Sequence, residues 1–116
     1  MAYVKDLKYL QLFDAYGALL TDTQREMCGQ YYLYDLSLSE IAEEKGVSKQ
    51  SVSDTLKKSR ELCEFYEEKL GFVARQRELV TALDAFAAEH SEFSDELKKI
   101  SDMVEVGEVV DLDEED

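Results

Sequence analysis

Five bases fall within residues 45–60 of this chain (Lys45, Lys49, Lys57, Lys58 and Arg60), against the single acid Asp54, a local net of +4. The whole chain has 13 Lys and Arg against 27 Asp and Glu, a net of −14. Such an island, on a molecule that otherwise repels polyanions, has the makings of a phosphate contact. Ammonium groups meet phosphate oxygens, while short polar side chains beside them can reach base edges. The candidate nucleic-acid-binding residues are therefore Lys45, Ser48, Lys49, Gln50, Ser53, Asp54, Lys57 and Lys58. The overall charge excludes a generally basic coat and disfavours adsorption to anionic membranes.

Other chemistry finds less support. The one histidine, His90, has neither a paired cysteine nor a second histidine at helical spacing, so a general base is not indicated. Glu40, Glu43 and Glu44, and again Glu64, Glu67 and Glu68, sit at helical neighbour spacing, which more commonly makes a solvated face than a catalytic pair. Cys28 and Cys63 are isolated and read as buried thiols, without a disulfide or a zinc site. No glycine-rich phosphate loop is present. The reading is a non-enzyme with no cofactor and no metal. Tyr9, Tyr16, Tyr31, Tyr32, Tyr34 and Tyr66 recur at helical spacing and are assigned to core or interface packing rather than to base stacking.

The elements that must position the basic island are helices. No proline, only five glycines, and 45% hydrophobic residues over 116 positions imply one all-α domain with one core. Tyr3, Leu7, Leu10, Phe13, Gly17 and Leu20 predict a helix over about 3–19 with that stripe inward. Thr21 with Gln24, and Ser37 with Glu40, have capping-box spacing and open helices at Asp22 and Leu38. Met27, Cys28 and Tyr31 face inward, and Tyr31–Tyr34 close the first of these helices. Ser48 opens a helix over 49–70 with no breaker before Gly71 and a seam of Val52, Leu56, Ser59, Cys63, Tyr66 and Leu70, which Val73 can continue. Two further helices follow, over 72–89 (Leu79, Val80, Leu83, Phe86 and Ala87 on one side) and 94–103 (Leu97 and Ile100).

Residues 37–60 have the internal logic of a helix-turn-helix. Ala42 lets two helices cross closely, Gly46 suits a turn with positive φ, and Ile41, Val47 and Val52 supply the wedge. With Val52 and Leu56 inward, Lys49, Gln50, Ser53, Asp54 and Lys57 project outward. Residues 1–104 form the domain, and 105–116, with seven acids and no base, form a disordered tail able to compete with phosphate. No basic leader or bilayer-length apolar run is seen, so a soluble, cytoplasmic location without membrane contact is expected.

Leu19–Gln24, Tyr31–Glu44 and Val47–Asp54 closely resemble the YlxM family of Gram-positive bacteria, over about residues 5–100. The resemblance implies a fold like region 4 of a sigma factor, with additional C-terminal helices. It also implies a regulatory role in the signal recognition particle pathway, whose GTPase gene lies beside the family's own. Gly46, Val47, Ser48, Lys49, Gln50, Ser51, Val52 and Asp54 fall on the family's turn and reading helix, and Ser37 and Glu40 on its cap. Lys45 and Ser53 depart from the pattern, standing where an aromatic residue and a tyrosine are common. The function expected is a helix-turn-helix regulator, homodimeric through its remaining apolar stripes, acting on DNA or on particle RNA. The alternative is an acidic adaptor docking the particle GTPase without reading nucleic acid. The residues do not choose between DNA and RNA, because a lysine meets phosphate in either.

Overall fold

Local capping decides where the helices of this computed structural model begin; it describes residues 7–104. They run α1 (Leu7–Tyr16), α2 (Asp22–Cys28), α3 (Leu38–Lys45), α4 (Lys49–Leu70), α5 (Phe72–Glu89) and α6 (Ser94–Val104). At α2, Thr21 Oγ1 accepts from the Gln24 N–H at 3.1 Å and the Gln24 side chain accepts from the Thr21 N–H at 3.0 Å. Ser37 and Glu40 repeat the exchange at α3, and Ser48 accepts from the Ser51 N–H at α4. The bounds of α4 and α5 coincide with those expected. The acidic tail and Tyr3 lie outside the described residues.

Two glycines take the left-handed conformation that ends a helix, Gly46 at φ +70° and Gly71 at φ +66°. A Cβ at Gly46 would meet nothing within 4 Å. Gly46→Ala is therefore expected to cost only the backbone term, about 1 kcal/mol, with the binding properties of the folded protein unchanged. Urea unfolding of the variant checks this; a loss above 3 kcal/mol would mean the turn is held by something else.

The core gathers Tyr9, Leu12 and Tyr16 of α1, Met27 and Cys28 of α2, Ile41 and Ala42 of α3, Val52, Leu56 and Cys63 of α4, and Val73 of α5. The largest side chain fully buried among the described residues is Tyr9, whose hydroxyl lies 3.4 Å from Cys28 Sγ and 3.8 Å from Cys63 Sγ. Burial pushes both thiols and the Tyr9 phenol upward, so all three stay protonated and neutral.

Several expectations are corrected here. The inward line of α1 runs through Tyr9, Leu12 and Tyr16 beside Leu10, Gly17 and Leu20, while Leu7 is half exposed. Tyrosine can displace leucine from the centre because each buried hydroxyl has a partner inside. Val47 is 40% exposed on the turn, which leaves Ile41, Ala42 and Val52 as the wedge. Leu70 is also exposed, because the chain turns at Gly71 and Val73 takes the buried place instead. Tyr34 is exposed at the end of a wide five-residue turn, Gly29–Leu33, that extends α2. Asp35, at φ +60°, reverses the chain there.

Beyond Val73, Ser101 is the only buried residue among those described. α5 packs along α6, and its first turns meet α1, where the Arg77 guanidinium donates to Gln11 Oε1. Leu79 and Phe86, expected on the packed side, are each 46% exposed. A helical pair without a third layer can cover only one side of each helix.

Candidate nucleic-acid interface

α3, the three-residue turn 46–48 and the first turns of α4 form the bihelical unit, held by Ile41, Ala42, Val52 and Leu56. At 100° per residue, burying Val52, Leu56, Ser59 and Cys63 forces Gln50, Asp54, Lys57, Lys58 and Glu61 onto the opposite side of α4. Lys49, Ser53, Lys57 and Arg60 follow one another along an adjoining stripe. Glu61, Glu64 and Glu68 succeed them, so the positive surface is confined to the first three turns of α4.

The eight candidate residues do not all join that surface. Lys45 is drawn toward α2, where its Nζ lies 2.5 Å from Glu26 Oε1, and its side chain is only 22% exposed. Ser48 spends its hydroxyl oxygen on the Ser51 N–H as the cap of α4. Gln50 donates from Nε2 to Asp54 Oδ1 at 2.9 Å, which fixes the amide of Gln50 along the helix and occupies one oxygen of Asp54. Lys49, Lys57 and Lys58 are exposed, and no ion pair joins any of them among the described residues. Lys58 lies about 100° around α4 from Lys57 and on the far side from Lys49. Lys49 and Lys57 are thus the two cations that share one open face.

Arg60 belongs to the basic island but not to the eight candidate contacts, and its surroundings explain why it matters. Its guanidinium lies 3.5 Å from Glu64, donates to the Tyr32 hydroxyl at 3.4 Å and sits 5.3 Å from the centre of the Tyr9 ring. Burial raises the Tyr32 phenol to about 12, with Cys28 and Tyr31 adding to the effect, so it remains protonated. Tyr31 and Tyr32 meet edge to face at 4.9 Å and wall the flank of α4 at Ser53, Lys57 and Arg60. Sequence spacing gave no sign of this, since the wide turn that carries the two rings is brought to α4 only by the crossing of the helices.

Glu67, grouped with Glu64 and Glu68 as part of a solvated face, has a structural role. Its carboxylate accepts from the Tyr16 hydroxyl at 2.5 Å, the Val73 N–H at 3.1 Å and the Ala74 N–H at 3.0 Å. The Phe72 N–H donates to the Tyr16 hydroxyl at 3.2 Å. Together these satisfy the open N–H groups of α5, whose cap residue Gly71 has no side chain for the task. Burial alone would raise the Glu67 carboxyl, but these donors and Arg77 outweigh it and hold it below the usual carboxylate range.

His90 sits at the C-terminus of α5 with its ring stacked on Phe86 at 4.0 Å. Among the described residues no group of three His, Cys, Asp or Glu is placed to hold a metal ion, and no helix is long and apolar enough to cross a membrane.

Residues 3–103 match a family model described as "Putative helix-turn-helix protein, YlxM / p13 like" (UPF0122). A UPF0122 protein of Thermoanaerobacter sp. (strain X514) is 55% identical over 73 residues, covering 63% of this chain. One of Caldanaerobacter subterraneus subsp. tengcongensis is 51% identical over the same length. In both cases the chain spans 62% of the relative's own length. A UPF0122 protein of Bacillus cereus (strain AH187) is 45% identical over 98 residues, 81% of this chain and 88% of the relative. With a family match over almost its whole length and an all-helical body built around the α3–α4 unit, the chain belongs to the UPF0122 family of YlxM / p13-like helix-turn-helix proteins.

Proposed function

We propose that this protein is a non-enzymatic regulator that binds nucleic acid through the exposed face of α4, works as a homodimer, and serves the signal recognition particle pathway. The observation that carries the binding surface is the placement of Lys49 and Lys57 on one open face of α4, with no ion pair to either among the described residues, in a chain of net −14. Gln50 and Ser53 extend that face, and Lys58, about 100° around the helix from Lys57, adds a third exposed cation beside it. Residues 1–104 act as the unit, with the acidic stretch 105–116 as a competitor for the same lysines. The family resemblance supports the pathway. Pairing is supported by Phe72, Leu79 and Phe86, half-exposed and recurring every seven residues along α5, the spacing of a helix–helix seam.

Counterion release tests the binding and its copy number together. At about −0.9 per phosphate, three lysines give a slope of about −3 in log affinity against log salt for one copy and about −5 for two. Particle RNA and operon DNA are the two probes. Lys49→Ala with Lys57→Ala is expected to weaken binding at least tenfold at low salt and to flatten the slope by about 2 per copy. A second reading, an acidic adaptor that docks a basic protein, is favoured by the exposed Glu61, Glu64 and Glu68 just beyond the lysines. Unchanged affinity and slope in the double variant would overturn the first reading in favour of the second.

A further inference from the structure

A concave site opens on the flank of α4, between that helix and the wide turn after α2. Its volume is about 260 Å³, and its walls include Tyr31, Tyr32, Leu38, Leu56, Ser53 and Lys57. That is just under the range of drug-sized ligand sites, roughly 300–1,000 Å³, and suits a single flat ring system. Two aromatic rings and two leucines make the walls apolar, whereas Ser53 and Lys57 place a hydroxyl and an exposed ammonium on the α4 side. Arg60 also lines the site, but Glu64, the Tyr32 hydroxyl and the Tyr9 ring already engage it, so it stiffens the wall instead of serving as the open cation.

A ring-sized apolar slot with a cation beside it matches one unit of a nucleic-acid strand turned out of its stack. A base buries its faces against rings and aliphatic carbon while the attached phosphate stays at the surface. A base inside an intact duplex cannot enter such a slot, whereas a bulged base is already unstacked and everts at small cost. We infer that this site accepts a single everted nucleotide, with its base between Tyr31 and Leu38 and its phosphate on Lys57. The inference rests on the proposed nucleic-acid function and adds to it a preference for strands with a base out of the stack. Lys57 would then serve both surfaces, since it belongs to the cationic stripe and to the mouth of the slot.

The test compares binding of the full chain to three duplexes that differ at one position: fully paired, with a one-base bulge, and with an abasic bulge. Each is prepared as RNA and as DNA. The expected result is about tenfold tighter binding of the base-bearing bulge than of the other two, on one backbone or both. Leu38→Trp, which fills the slot from α3, and Tyr31→Leu, which removes a ring from the exposed side, should each abolish that preference while leaving fully paired binding and its salt slope unaltered. Equal affinity for paired and bulged duplexes, with binding still dependent on Lys49, overturns the inference and leaves the regulatory reading standing. So does a preference that survives both substitutions or extends to the abasic bulge. Binding of none of the probes overturns the regulatory reading, and the inference with it.

Discussion

Tyr9→Ala is expected to lower stability by about 3–5 kcal/mol, a large part of the roughly 5–15 kcal/mol that holds a domain of this kind together. The Tyr9 ring is fully buried, packs on Tyr32 at 4.7 Å and on Phe13 at 6.2 Å, and has Arg60 over its face. Truncation would leave a ring-sized void where α1, α2 and α4 meet. Tyr9→Phe keeps the ring and removes only the hydroxyl, which lies against the sulfur atoms of Cys28 and Cys63, weak hydrogen-bonding partners. Its cost should be about 1 kcal/mol. Urea unfolding monitored by circular dichroism separates the two. Equal losses for Phe and Ala would mean that the hydroxyl, not the packing, carries the energy. Because Tyr9 also supports Arg60, Tyr9→Ala should loosen the wall of the slot beside α4 before the protein unfolds.

Glu67→Ala is expected to cost about 2–3 kcal/mol, because it strips the acceptor from the Tyr16 hydroxyl and from two N–H groups at the head of α5. Glu67→Gln retains an acceptor oxygen but loses the charge, and about half that cost should remain. The pH dependence has a definite sign. The folded carboxyl titrates below its unfolded value of about 4.3, so its stabilisation is present in full above that value and fades as pH falls through the lower, folded one. The stability gap between the wild-type protein and Glu67→Gln should thus be constant from about pH 7 to 5 and close below about pH 4. Urea unfolding at each pH reads it; a gap persisting unchanged at pH 3, or none at pH 7, would remove the capping role. The same bonds bar Glu67 from any charge-reversal test of the acidic surface. Glu64 and Glu68 are the residues to reverse.

The features fixed by chain-local physics were legible before any coordinates. Thr21 with Gln24, Ser37 with Glu40, and Ser48 with Ser51 are each three residues apart, so the hydrogen bond that starts the helix is written within one turn. Gly46 and Gly71 end helices through a conformation that depends on their own missing Cβ. For that reason the bounds of α4 and α5, the bihelical unit and the outward turn of Lys49 and Lys57 all follow from the amino-acid order. Tertiary structure alone decided which cations and carboxylates stay open. Glu26 captures Lys45 across the α2–α3 approach, Tyr9 and Tyr32 engage Arg60, and Tyr16, 51 residues away in the chain, turns Glu67 into the cap of α5. These pairings depend on the angles at which helices cross, and crossing angles are set by the packing of the whole core rather than by any periodicity within a single helix.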